Sequence, residues 1–355
     1  MRILITGGCG FVGSTLAMFL AEAGHTVTAL DNLKRRGSER NIAPLGQHGI
    51  RVVHGDVRNP EDLETVPDCD VLCECSAEAS VSAGYGESPL YLLNTNLVGC
   101  MHCLEYARRR QCGIIFLSSS RVYPIAHLRS LPLRHGATRF YLSPEDGGQG
   151  WSTEGISASF PLAGSRSLYG ASKLASELLL AEYHAVYNVP FIVNRCGVIA
   201  GPGQMGKVDQ GFFSLWLAGH LWKGRLSYLG FGGFGLQVRD ILHVYDLAEL
   251  IEREIRTMTT YDGACWNVGG GKRNSVSLCE LTELCREATG HIVTVNAVPE
   301  TAAADIPWYI SDNTEVEART GWRPARGLPA LLEDTFAWLK REEQTLKSFF
   351  GFFEG

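Results

Sequence analysis

No run of apolar residues in this sequence reaches the roughly 20 needed to cross a bilayer. No secretory leader is read at the start either: Met1 leads straight into Arg2-Ile3-Leu4-Ile5, a β-type run that ends in glycines. Positive charge is not in excess. With 32 Lys and Arg against 38 Asp and Glu, the formal charge is −6, which argues against nucleic acid or an anionic membrane surface as a partner. The basic clusters that occur, Lys34-Arg35-Arg36 and Arg108-Arg109-Arg110, read as a solvated loop and a helix end. The eleven cysteines do not form a disulfide framework in a chain of this length. Cys69, Cys73, Cys75 and Cys196 lie inside apolar runs, as small buried hydrophobes in a reducing compartment do. Cys73-x-Cys75 and Cys100-x-x-Cys103 have no second Cys or His pair at ligand spacing, so no metal site is expected. Repeats and low-complexity linkers are also missing. These absences together lead us to expect a soluble cytoplasmic protein.

What is present is a chain of 355 residues, 45% hydrophobic, enough for a large core. Strand-like runs at 2–6, 26–30, 51–54, 71–75 and 113–118 alternate with helical periodicity at 11–23 and 89–110. That rhythm predicts parallel strands joined by crossover helices, a doubly wound α/β sheet that binds ligands at the carboxyl ends of its strands. Residues 124–166 break the rhythm and read as a long loop rich in Gly, Ser, Pro and Arg. A helix over 168–187 and a strand over 191–195 follow, then glycine-rich segments at 197–211 and 230–235. A helix at 246–257 precedes a smaller α/β portion, which ends in an amphipathic helix over 328–340 and an aromatic tail at 349–353.

The first strand runs into Gly7-Gly8-Cys9-Gly10-Phe11-Val12-Gly13, which opens directly into a helix. Gly7 allows a tight turn, Gly10 lets the backbone approach a pyrophosphate and Gly13 lets helix and strand pack closely. The helix N-terminus then faces the phosphates. The second strand ends in Asp31, placed to accept from ribose hydroxyls and to repel a 2′-phosphate, which favours NAD over NADP; Lys34 and Arg35 nearby weigh the other way. Asp56, after the third strand, is placed to accept from the adenine amino group.

Tyr169-Gly170-Ala171-Ser172-Lys173 puts Tyr and Lys four apart, on one helix face. A free phenol ionises near pH 10, too high for a neutral-pH base, and an ammonium beside it favours the phenolate. Ser118-Ser119-Ser120-Arg121-Val122-Tyr123 ends the preceding strand and offers a hydroxyl to share the substrate proton.

With these motifs and Arg239-Asp240-Ile241-Leu242-His243-Val244, the chain resembles the extended short-chain dehydrogenases/reductases, the NAD-dependent epimerase/dehydratase family that acts on nucleotide sugars. The resemblance covers nearly the whole chain. It implies a Rossmann domain over 1–196 and 237–262 and a nucleotide-sugar domain over 197–236 and 263–355. It makes Ser119, Tyr169 and Lys173 the catalytic group. For NAD it implies Gly7, Gly10, Phe11, Val12, Gly13, Asp31, Asn32, Asp56, Val57, Ser76, Ala77, Glu78, Asn96, Tyr169, Lys173, Cys196 and Val198. For the substrate it implies Ser120, Arg121, Gln204, Lys207, Val208, Gln210 and Arg239, the last on the nucleotide's phosphates. It also suggests a homodimer through the helices at 89–110 and 168–187.

Family members that dehydrate hexoses resemble one another in an Asp-Glu pair directly after the catalytic Thr. Here Ser120 and Arg121 stand there, so no general acid is present to expel a 6-hydroxyl. The stretch 194–211, with 230–244 and the 124–166 insertion, is similar to the branch that epimerises CDP-linked sugars at C2, the CDP-paratose 2-epimerases. Leu236 stands where that branch usually has Lys, Glu78 where Gln is usual, and Ala158 where an acid often precedes Phe160-Pro161-Leu162. The expectation is C2 epimerisation of a nucleotide-diphosphate sugar, CDP-linked by preference, with UDP or GDP possible, through a transient ketone. A 4-epimerase or a decarboxylase of the same family remains open, as does a non-catalytic dinucleotide sensor, against which the intact Ser119, Tyr169 and Lys173 argue.

Overall fold

The computed structural model describes residues 1–206 and 210–350. These divide into two compact units. The first comprises Met1–Val122, Ser167–Arg195 and Leu247–Trp266; the second comprises Tyr123–Arg166, Cys196–Asp246 and Asn267 onward. The sequence division differs in that 123–166, 196 and 237–246 group with the second unit and 263–266 with the first. The reason is local. Tyr123 donates to Asn267 Oδ1 at 2.6 Å and packs edge-on against Phe160, and Val238–His243 pairs with Val198–Ala200, Ser275–Ser277 and Trp308–Tyr309.

In the first unit, β1 (Arg2–Thr6), β2 (Thr26–Asp31), β3 (Arg51–His54), β4 (Val71–Glu74), β5 (Gly113–Ser119), β6 (Phe191–Cys196) and β7 (Ala264–Val268) form one sheet. Its order is β7-β6-β5-β4-β1-β2-β3, and the pairings from β3 through β5 are parallel. The order reverses beside β1, where such sheets bind their ligands. Apolar, β-branched runs such as Ile3, Leu4 and Ile5 are buried because helices cover both faces.

Helix α1 (Phe11–Glu22) follows β1, α2 (Gly99–Arg110) precedes β5, and α3 (Leu168–Tyr187) precedes β6. Ser167 caps α3 by accepting from the Gly170 amide at 3.2 Å. The periodicity at 89–110 predicts one uniform helix. The structure instead inserts a π-helical turn, Asn94–Val98, between Leu90–Leu93 and α2, an irregularity that often marks a functional residue.

In the second unit, the segment expected as a long loop carries a short helix, Ile125–Arg129, and two small antiparallel sheets. Two-residue strands such as Gly147–Gly148 and Trp151–Ser152 are too short to leave a period in the sequence. The expected C-terminal helix is present as Leu328–Arg341. Among the described residues, no helix is long and apolar enough to cross a membrane, and no group of His, Cys, Asp or Glu is arranged to hold a metal.

Candidate active site

The glycine turn between β1 and α1 is tight for stated reasons. Gly7 has φ +65°, and a Cβ there would lie 2.9 Å from the Ser76 backbone. A Cβ on Gly13 would lie 2.2 Å from Gly7 O, so only glycine lets α1 begin this close to the strand. A Cβ on Gly10 would meet only Gly7 O, at 3.1 Å, leaving this face of the turn open. Gly10 is the N-cap of α1 and supplies no side-chain acceptor, so the first-turn amides of Phe11, Val12 and Gly13 suit an incoming pyrophosphate.

Asp31, at the end of β2, accepts from the Cys9 amide at 2.9 Å and the Leu33 amide at 2.8 Å. It thereby fixes the glycine turn to the strand end where a ribose would sit. Asn32 Nδ2 donates to Asp56 at 2.9 Å. Asp56 also pairs with Arg58, whose hydrogen bonds hold the carboxyl down at about 2 against the opposing effect of burial. Val57 is buried. Lys34, which sequence reasoning weighed toward a 2′-phosphate, lies 3.1 Å over the Tyr91 ring.

Asn96 sits in the π-helical turn. Its Oδ1 accepts from the Glu78 amide at 2.8 Å, and its Nδ2 donates to Glu78 O at 3.0 Å and to Ser172 Oγ at 3.2 Å. One side chain therefore fastens the 76–78 segment to α3, one residue from Lys173. Ala77 is exposed, and the Glu78 carboxylate turns back to the Ser80 amide at 3.3 Å.

Strand alternation separates the serines of β5. Ser118 donates to Glu177, which is paired with Arg195 at 2.7 Å in the interior. Ser119 is directed to the other face, where its Oγ accepts from the Arg121 amide at 3.2 Å. Ser120 and Arg121 form the 3-10 turn that follows. Tyr169 and Lys173 lie one turn apart on α3, both buried, with Nζ of Lys173 4.5 Å over the Phe116 ring of β5. The first unit thus contains Ser119, Tyr169, Lys173 and all the candidate cofactor residues except Cys196 and Val198, which fall in the second.

Of the candidate substrate residues in the second unit, Gln204 has its amide in use, donating to Ile199 O at 2.7 Å and accepting from Ser214 at 2.9 Å. Gln210 is half-buried. Arg239 is paired with Asp305 at 2.9 Å. Lys207 and Val208 lie outside the described residues. Sequence reasoning missed Asp305 and Glu74. A lone acid inside the apolar run Val71-Leu72-Cys73-Glu74-Cys75 was the available signal for the second.

The sequence model of the NAD dependent epimerase/dehydratase family matches residues 3–269. The CDP-paratose 2-epimerase of Salmonella typhi is 27% identical, over 95% of this chain and 99% of its own. A UDP-glucose 4-epimerase of Erwinia amylovora is also 27% identical, over 97% and 99%. Among solved structures, UDP-glucuronic acid 4-epimerase from Bacillus cereus, in complex with UDP-glucuronic acid and NAD, superposes with a TM-score of 0.78. It is 20% identical, over 96% of this chain and 99% of that one, and this likeness bears on the fold.

Proposed function

This chain belongs to the NAD dependent epimerase/dehydratase family, and on that premise we propose that it epimerises a nucleotide-diphosphate sugar, at C2 and with a CDP-sugar by preference. The cofactor is NAD, which when bound accepts a hydride from the sugar carbon and returns it. The observation that carries the reading is the composition of the reacting end of β5 and α3. A hydroxyl ends β5 (Ser119), a phenol and an ammonium lie one turn apart on α3 (Tyr169, Lys173), and no carboxylate follows Ser119.

Tyr169, as phenolate, takes the proton of the sugar hydroxyl as the carbon is oxidised. Lys173 supplies the positive charge that favours the phenolate, and Ser119 shares the proton in flight. The resulting ketone must present its other face before the hydride returns, after which Tyr169 gives the proton back. Atoms and electrons balance with no net redox change. Dehydration would require an acid to protonate the departing hydroxyl, and Ser120 and Arg121 do not supply one.

The choice of C2 and of CDP is supported by the 194–211 and 230–244 segments and by likeness to the 2-epimerase along both chains. In the second unit, Arg239 is the candidate for the diphosphate, aided by Gln204, Lys207, Val208 and Gln210. A homodimer fits an apolar stripe on α3: Ala171, Leu174, Leu178, Ala181 and Ala185 recur at helical spacing and are exposed or half-buried. The testing experiment incubates CDP-, UDP- and GDP-sugars with the protein in deuterated water and resolves the products by NMR. Inversion at C2 without CO2 or NADH release is expected. A 4-epimer, a decarboxylated sugar or a 4-keto-6-deoxy product would replace this reading.

A further inference from the structure

Glu74 closes β4, and nothing in the reaction above uses it. It is 1% exposed in an interior built from Leu72, Cys100, Cys103 and Phe116. Ser76 donates to its Oε1. Its Oε2 accepts no hydrogen bond and lies 3.6 Å from Nζ of Lys173, with both side chains 2% exposed.

A carboxylate placed this deep is costly, and a buried ion pair adds little stability over an apolar pair of the same shape. Its presence therefore calls for a role beyond packing. The groups facing it narrow that role. From α2 come the thiols of Cys100 and Cys103, both pushed up by burial with Glu74 adding to the effect, hence neutral. From α3 come Tyr169 and Lys173, with Cys75 beside the strand end. The cation facing Glu74 is Lys173. Burial alone would pull the lysine down, but Glu74 and then Tyr169 act against it and the net direction is up. On Glu74, burial acts upward and Lys173 downward, with the net direction up.

We propose that Glu74 is a positioning residue for the lysine of the hydride-transfer group: its buried carboxylate anchors Nζ of Lys173 at the end of the sheet and keeps that group cationic. The ammonium is then preset for the phenol one helical turn away. The inference rests on the reading of Tyr169 and Lys173 given above.

The test is a titration that needs no substrate. NAD-loaded protein labelled with 13C at lysine Cε is followed by NMR from pH 7 to pH 11, with Lys173→Met used for assignment. The wild-type Lys173 midpoint is expected above that of a free lysine, and the Glu74→Gln midpoint below that of wild type. The alkaline limb of kcat/KM should move down with it, which loss of a merely structural contact would not cause. If Glu74→Gln does not fold, Glu74→Asp, with its carboxylate drawn back by one methylene, should also bring the midpoint below that of wild type. An unchanged Lys173 midpoint in a folded variant, or a wild-type midpoint below that of a free lysine, overturns the proposal. Those results would leave the epimerase reading intact, whereas a panel of nucleotide sugars without turnover would defeat that reading and leave the titration interpretable.

Discussion

Arg239 and Asp305 form an ion pair of 2.9 Å inside the second unit, and the same guanidinium also donates to Ile306 O at 2.7 Å and to Val238 O at 2.8 Å. An arginine held in this way is preset in direction but already carries a counter-anion. A diphosphate that uses Arg239 must share it with Asp305 or displace it. Arg239→Met should therefore weaken CDP and UDP binding by about 10- to 100-fold, the size of a charge-assisted hydrogen bond. Asp305→Asn should tighten it by a few-fold. Isothermal titration calorimetry checks both, and equal losses in the two variants would show that Arg239 does not meet the phosphates.

A second buried acid governs stability against pH. Glu254 is fully buried, accepting from Asn194 at 2.8 Å and from Trp266 at 3.1 Å. Burial pushes its carboxyl up to about 8 from an ordinary 4.5, more than those two hydrogen bonds pull it down. The folded state thus binds a proton that the unfolded chain has released. This stabilisation is complete below about pH 4.5 and is lost as pH rises through about 8, a change of about 5 kcal/mol. Thermal melts of wild type and Glu254→Gln between pH 5 and pH 9 should converge or cross toward high pH, because the Gln variant lacks this slope. Parallel curves would contradict the assignment.

The exposed stripe on α3 predicts assembly. Leu178 is 63% exposed there, and Met101 on α2 is 40% exposed. Replacing both with Glu should convert a dimer to a monomer in sedimentation equilibrium without lowering NAD content. A wild-type monomer at micromolar concentration would remove the dimer from the account.

Tyr169→Phe keeps the ring and its packing and deletes the proton carrier. It should retain NAD and lose about 10²–10⁴-fold in turnover, the range of a general acid–base contribution. Cofactor release after denaturation and steady-state assay on the same sample measure both quantities. Undiminished turnover would sink the role given to Tyr169.

Six of the seven strands were legible as apolar-rich blocks, most of them closed by glycine or acid at the carboxyl end; β5 ends in serines, and β7 was not read from the sequence. The order found places β4 and β2 on either side of β1. The Gly7–Gly13 turn, Ser119 and the Tyr169/Lys173 spacing were legible because each depends on residues a few positions apart. What sequence could not reveal depends on distant partners. Asp305 meets Arg239 from 66 positions away, and Glu74 at the end of β4 meets Lys173 on α3. The π-helical turn at Asn96 also escaped, since one extra residue in a turn barely disturbs the apolar period over 89–110. The 124–166 segment hid its small sheets because two residues per strand carry no alternation.

In the proposed reaction one hydrogen leaves a sugar carbon as hydride and returns to the same carbon on its other face. A CDP-sugar carrying deuterium at C2, turned over in ordinary water and analysed by NMR, tests it most directly. A C2-inverted product that keeps its deuterium at C2 is expected. Inversion with deuterium lost to solvent would mean proton abstraction in place of hydride transfer, and would rule this reaction out.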